Sequence, residues 1–131
     1  MLVTPLSRRQ WDKAKPGKIK SSLVPYAEAV RKIAAEKNVP LIELHDRSRE
    51  YYERVGKAEV EKFSPIKTVD GTNLIDGTHL AGVGRVLMAR LVVEELRKAV
   101  PELAPHLLAE PNPAAVEEKN VKPKKPAAKQ E

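Results

Sequence analysis

Asp76 and His79 lie three positions apart in the segment Asp76-Gly77-Thr78-His79, and these two residue types can perform acid–base chemistry together. An imidazole can accept the proton of a nucleophilic hydroxyl, while a neighbouring carboxylate fixes its tautomer and stabilises the imidazolium that forms. Gly77 permits the tight turn that would bring the two side chains together. The same four residues also suit an ordinary turn before a helix, so the segment alone leaves both interpretations open.

Three further residues are weaker candidates for a site. Ser7 follows the first predicted strand, and loops at the carboxyl ends of parallel strands face a ligand crevice, so its hydroxyl could replace a missing nucleophile. Arg8 and Arg9 could bind the carboxylate of an acidic sugar through bidentate contacts. The alternative for all three is an ordinary loop serine beside two exposed arginines.

The three histidines are too widely spaced to indicate a zinc site, and the chain has no cysteine. We therefore expect neither a metal nor a cofactor. His45 ends a predicted strand and could face the same crevice as His79, although a hydrogen-bonded structural histidine is the commoner case. His106 lies near the C-terminal end and has no visible partner.

The net charge of +6 is confined to the two ends of the chain. Residues 1–20 carry +5, residues 112–131 carry +2, and residues 21–111 carry −1. A nucleic-acid module spreads basic residues over one face, often with aromatic stacking partners, whereas aromatic residues make up only 4% here. No apolar run reaches the roughly 18 residues of a membrane helix. We expect no nucleic-acid or membrane partner and, as written, a cytoplasmic location, although a longer parent protein could be secreted.

The first part of the chain predicts a strand, a helix and a second strand. Leu2–Leu6 is typical of a short buried strand. Ser21 or Ser22 can cap a helix whose first turn accepts Pro25, and Pro40–Leu44 predicts the second strand. Short connections between such elements predict a parallel βαβ unit. The buried face of the helix is predicted from apolar residues at three- and four-residue steps: Leu23, Tyr26, Ala27, Val30, Ile33 and Ala34.

The remainder predicts two helices separated by a turn-rich stretch. The first runs from His45 to Val55 and stops at Gly56. Residues 70–74, Asp-Gly-Thr-Asn-Leu, nearly duplicate the Asp76 segment, but asparagine in the histidine position cannot act as a base, so we interpret this copy as an insertion or a turn. The second helix runs from about Val83 to Val100. Its predicted buried residues are Val86, Ala89, Val92, Val93, Leu96 and Val100.

The chain is long enough for one small domain, which we place at residues 1–108. Its last part is predicted to be a short helical turn after Pro101 that holds Leu103, Leu107 and Leu108. Residues 109–131 are rich in proline, lysine, alanine and glutamate and cannot bury much apolar area. They are therefore predicted to form a disordered Pro/Lys-rich tail.

Four segments occur in a telling order: Leu2-Val3-Thr4-Pro5-Leu6-Ser7-Arg8-Arg9, Tyr26-Ala27-Glu28-Ala29-Val30, Val39-Pro40-Leu41-Ile42-Glu43-Leu44, and Asp76-Gly77-Thr78-His79-Leu80 with Gly82 and Gly84. This order resembles the C-terminal half of the SGNH (GDSL-type) hydrolases, in particular their rhamnogalacturonan acetylesterase-like branch. The resemblance implies an α/β chain that forms part of a flavodoxin-like three-layer fold. It further implies a carbohydrate O-acetylesterase site, with His79 as general base, Asp76 as its orienting carboxylate and an ester substrate such as an acetylated polysaccharide.

The departures from this family are as informative. No Gly-Asp-Ser segment supplies the serine nucleophile, and no asparagine in a matching context completes an oxyanion hole. The resemblance therefore implies that the N-terminal half of the fold is absent and that the chain alone has little or no esterase activity.

Two other functions remain open at the level of sequence. An open parallel sheet edge would be covered either by a missing N-terminal half or by a second copy of the chain. In the second case the chain would be a homo-oligomer. The chain would then be a truncated, non-catalytic protein that self-associates. Alternatively, its lysine-rich ends would make it a basic-tailed binding module for acidic polymers.

Overall fold

The structure, a computed structural model, describes residues 1–107, with residue 67 described by its backbone alone. The predicted tail at 109–131 lies outside the described residues, as does Leu108. The strands are β1 (Leu2–Val3), β2 (Leu41–Ile42), β3 (Ile66–Val69) and β4 (Thr72–Ile75). The helices are α1 (Val24–Glu36), α2 (Leu44–Val55), α3 (Lys57–Glu61) and α4 (Gly82–Ala99), followed by a 3-10 helix at Pro101–His106. This mixture of helix and strand is compatible with the predicted α/β class.

The predicted parallel pair is confirmed, because β1 and β2 run side by side in parallel with Leu2 opposite Leu41. Each strand is two residues long, shorter than predicted. The last backbone hydrogen bond of the pair runs from the Thr4 N–H to the Ile42 carbonyl at 3.0 Å, and α2 begins at Leu44, two residues after β2. Val3 is 43% exposed, so the expectation of a fully buried first strand was wrong.

Helix α1 begins at Val24 with Pro25 in its first turn, as predicted. Neither serine caps it, because Leu23 occupies the cap position and has no side-chain hydrogen bond. The predicted apolar stripe is buried only in part: Ala27 and Ala34 are buried, whereas Tyr26 is 66% exposed. Two short strands cover only a narrow face of the helix.

The predicted self-association through an open sheet edge stays a prediction.

Residues 56–81 contain structure that the sequence reasoning missed. Helix α3 follows Gly56, and β3 and β4 form an antiparallel hairpin with Ile66 opposite Ile75. The interpretation of the 70–74 copy as a turn is confirmed at its first two residues, because Asp70 (φ 49°) and Gly71 (φ 74°) connect the two strands. Positive φ at both positions is what a two-residue hairpin loop requires. Both faces of this hairpin are exposed.

Helix α4 packs its first turns on the core. Gly84 lies so close to Phe63 that an added Cβ would be 2.5 Å from the Phe63 Cβ, so only glycine fits there. Val86 and Val100 are buried as predicted, but Ala89 is exposed, because the buried face instead follows Gly84, Met88 and Leu91. The core consists of residues from the 10–20 loop, α2, α3, the segment directly after α3, and α4: Ile19, Tyr52, Val60, Phe63, Met88 and Leu91.

Candidate active site

Asp76 and His79 meet in the turn between β4 and α4. Asp76 Oδ2 lies 2.7 Å from His79 Nδ1, while Oδ1 accepts the backbone N–H groups of Thr78 and His79 at 2.8 and 3.0 Å. The backbone N–H of His79, its imidazole and the N–H of Thr78 together hold the pKa of the Asp76 carboxyl well below its usual range. The carboxylate is therefore ionised at neutral pH, and it fixes the imidazole with Nδ1 turned inward.

The two members of this pair differ in exposure. The Asp76 side chain is 11% exposed, whereas the His79 side chain is 72% exposed. Within residues 1–107, His79 Nε2 makes no hydrogen bond, and no serine hydroxyl contacts the imidazole. The site thus presents a basic nitrogen to solvent with its orienting carboxylate already in place.

Gly77 is favoured here for a different reason from the one predicted. Its φ is not in the left-handed region, where only Gly17, Gly56, Gly71 and Gly82 lie among the described glycines. Instead, an added Cβ would be 3.3 Å from the carbonyl oxygen of Arg9, whose N–H donates to the Gly77 carbonyl at 2.8 Å. The glycine permits close approach of two backbones rather than an unusual backbone conformation.

Arg9 supports the turn from beneath. It is only 6% exposed, and its Nη2 donates to the carbonyl oxygens of Asp76, at 3.0 Å, and of His79. Its Nε donates to Ser64 Oγ at 3.1 Å, and the guanidinium lies 5.8 Å from the ring centre of Tyr52. Arg9 was expected on the surface, and the structure buries it instead. Its predicted role in substrate binding stays a prediction. The buried guanidinium satisfies carbonyls of the turn and is a positioning residue.

Ser7 is not brought to His79. It is 1% exposed, its hydroxyl donates to the Arg8 carbonyl at 3.3 Å, and its N–H donates to Ser48 Oγ at 3.0 Å. A buried hydroxyl without contact to the imidazole cannot replace the nucleophile, so this expectation is corrected. Arg8 is half-buried, and its predicted role in substrate binding stays a prediction.

The structure also brings together a set that the sequence reasoning missed. His45 is 1% exposed, with Ser21 Oγ 2.8 Å from its Nε2 and Asp46 Oδ1 3.2 Å from its Nδ1. The expectation of a hydrogen-bonded histidine is confirmed, but its serine partner was not foreseen. Ser21 and His45 lie on either side of α1 in the sequence, and only the fold of the βαβ unit makes them neighbours.

Two concave regions lie on the described part of the chain. One, of about 480 Å³, reaches the Asp76–His79 turn at Gly77 and is also lined by Arg9, Trp11 and Lys13. His79 is not part of its lining. The other, of about 570 Å³, lies between α2 and α4 and contains none of the predicted site residues. The described residues contain no cluster of three potential metal ligands and no helix long and apolar enough to span a membrane.

The chain is similar in sequence to the rhamnogalacturonan acetylesterase RhgT of Bacillus subtilis (strain 168). The two are 30% identical over 114 residues, which cover 83% of this chain and 48% of that protein. The chain therefore spans about half the length of this relative. No protein-family model and no solved structure matches the chain. The similarity supports a relationship to the SGNH-type hydrolases.

Proposed function

We propose that the chain carries the general base of a carbohydrate O-acetylesterase, together with the carboxylate that orients it, within a flavodoxin-like SGNH-type fold. The observation that carries this proposal is the 2.7 Å contact between Asp76 Oδ2 and His79 Nδ1 on a solvent-exposed imidazole. Similarity to a rhamnogalacturonan acetylesterase adds the substrate class, an acetylated polysaccharide.

In this function His79 Nε2 takes a proton from the attacking oxygen, and Asp76 stabilises the imidazolium that results. No serine hydroxyl contacts His79 among the described residues. The nucleophile in this proposal is therefore a water molecule that His79 deprotonates. The oxygen of water adds to the acetyl carbonyl, the C–O bond to the sugar breaks, and His79 returns the proton to the sugar oxygen. Acetate and the free sugar hydroxyl are the products.

Arg9 contributes by holding the turn rather than by touching the substrate. Its guanidinium donates to the backbone carbonyls of Asp76 and His79, so a buried side chain holds these two residues at a fixed separation. The turn is also tied to the preceding segment, since the N–H of Asp76 donates to Pro65 and that of Ala81 donates to Phe63. A base held this firmly loses little orientation freedom during reaction.

The test is hydrolysis of an aryl acetate and release of acetate from acetylated rhamnogalacturonan by the purified full chain, beside His79→Ala. We expect slow turnover, because the site has neither a serine nucleophile in contact with His79 among the described residues nor a matching asparagine to complete an oxyanion hole. Removal of the base should lower the rate by about 100-fold, the low end of general-base contributions.

His106→Ala is the matched control, because His106 is also an exposed histidine and lacks a carboxylate partner among the described residues. It should retain the wild-type rate. If His79→Ala and His106→Ala hydrolyse the acetate equally fast, the activity is that of any surface imidazole and the proposal fails.

A further inference from the structure

The second histidine site has an element that the first lacks, a serine hydroxyl in contact with the imidazole. Ser21 Oγ lies 2.8 Å from His45 Nε2, and His45 Nδ1 lies 3.2 Å from Asp46 Oδ1. A carboxylate only accepts hydrogen bonds, so the neutral imidazole carries its proton on Nδ1. Nε2 is then unprotonated and faces the Ser21 hydroxyl, which is the arrangement that activates a serine nucleophile.

Neighbouring side chains hold the imidazole and its carboxylate in place. Arg31 Nη2 donates to Asp46 Oδ2 at 2.8 Å, and Arg49 Nη2 donates to Asp46 Oδ1 at 3.3 Å. The backbone N–H of His45 donates to Thr4 Oγ1 at 2.8 Å. Thr4 directly follows β1, Arg31 lies in α1 and Arg49 lies in α2, so the imidazole and its carboxylate are fixed by three separate parts of the chain.

Solvent can reach the hydroxyl, because Ser21 is half-buried, as is Asp46, whereas His45 is fully buried. Helix α1 starts three residues after Ser21, at Val24, without a capping side chain. Within residues 1–107 the backbone N–H groups of Val24 and Tyr26 have no acceptor. Unpaired donors in the first turn of a helix favour a negatively charged oxygen.

We infer that Ser21, His45 and Asp46 form a second nucleophilic centre, which accepts the acyl group of small esters. Ser21 Oγ adds to the carbonyl carbon while its proton moves to His45 Nε2. The C–O bond to the alcohol then breaks, and His45 returns the proton to the departing oxygen. Water hydrolyses the acyl-serine by the same route and releases a carboxylic acid, which restores Ser21.

This centre does not depend on the Asp76–His79 proposal, since the two share no residue. It also differs from the expected family site, because Ser21 does not lie in a Gly-Asp-Ser segment. The inference rests on the contacts around His45 and not on the sequence resemblance.

The test is covalent modification of the native full chain by a fluorophosphonate, mapped by tandem mass spectrometry. In this reaction Ser21 Oγ bonds to phosphorus, the P–F bond breaks, and the serine proton leaves through His45. The matched internal control is Ser22, the exposed neighbour that has no histidine partner. We expect Ser21 to react roughly 100-fold faster than Ser22, the low end of the effect of a positioned base.

Two variants sharpen the result. Ser22→Ala should leave the modification of Ser21 unchanged, and His45→Gln should lower it by about 100-fold. Circular dichroism tests whether His45→Gln is folded. The comparison of Ser21 with Ser22 is made in the unaltered chain and needs no variant. Equal modification of Ser21 and Ser22, or an unchanged rate in folded His45→Gln, overturns the inference and leaves a structural hydrogen bond. Because each modified serine is identified by mass, failure here is distinct from failure of the His79-dependent hydrolysis.

Discussion

The two histidine sites of this molecule are built in opposite ways. His79 lies in an exposed turn, its side chain 72% accessible, with Asp76 in contact and no serine contact among the described residues. His45 lies at the start of α2, 1% accessible, with both a carboxylate and a serine hydroxyl in contact. The exposed imidazole is open to solvent but has no serine partner among the described residues, whereas the buried imidazole has a serine hydroxyl 2.8 Å away.

The comparison shows what a short sequence motif detects. Asp76 and His79 are three residues apart, so one turn of backbone is enough to bring them together, and the motif reveals the pair. Ser21 and His45 are joined only because β1, α1 and β2 fold into a parallel unit. A contact such as that between Ser21 and His45, which are far apart in sequence, can be found only from the tertiary structure.

The largest expected effect concerns the support of the exposed site. Arg9→Ala removes buried hydrogen bonds to the carbonyls of Asp76 and His79 and to the Ser64 hydroxyl. Acceptors left unsatisfied in a buried place cost about 1–3 kcal/mol each, so we expect a loss of about 3 kcal/mol in the free energy of unfolding. Urea denaturation followed by the fluorescence of Trp11, the single tryptophan, measures it.

Arg8→Ala is the matched control for this variant. Arg8 is adjacent and half-buried, but the described structure gives its side chain no hydrogen bond to the turn. We expect a change within about 0.5 kcal/mol, as for an ordinary surface substitution. Equal losses for the two arginines would mean that Arg9 does not hold the turn.

The next effect separates the two histidines directly. His45→Ala leaves a cavity and removes the partner of Ser21 and Asp46, and we expect it to cost about 2 kcal/mol of unfolding free energy. His79→Ala removes a side chain that is mostly in water, so the midpoint of urea denaturation should move far less. If His79→Ala destabilises the chain as much as His45→Ala, the exposed imidazole has a structural role and the contrast drawn here is mistaken.

Sequence reasoning predicted the parallel unit because its signals are local and strong. Pro25 in a first turn, Gly56 after α2 and short apolar runs at both strands all agree with one arrangement. It missed the hairpin at 66–75, although Asp70-Gly71 between two apolar runs is a strong hairpin signal. The near-duplication of the Asp76 segment instead favoured an insertion or a turn at residues 70–74 without strands on either side.

The candidate site was predictable only in its two chemical residues. The roles of Arg9 and Ser7 were not, because a loop residue near a site can face either the crevice or the interior, and burial is a tertiary property. Both face inward. The buried face of α4 was predicted incorrectly for a related reason. Apolar residues occupy more than one face of that helix, and the close approach of Gly84 to Phe63 selects which face is buried.

The smallest expected effect is the pH dependence of the exposed pair. The pKa of Asp76 is held below its usual range by the N–H groups of His79 and Thr78 and by the imidazole. A carboxyl with a lowered pKa in the folded state stabilises the fold above its ordinary pKa, about 3.9, and this contribution is lost as the pH falls through the lower folded value. Asp76→Asn should therefore cost stability at neutral pH, and its difference from the wild type should shrink below about pH 4.

Thr78→Ala keeps the backbone N–H donor and should follow the wild-type profile. Thermal unfolding of the three proteins from pH 7 downward measures this, and a difference that is constant or grows in acid would show that Asp76 is not held as an ion by the turn.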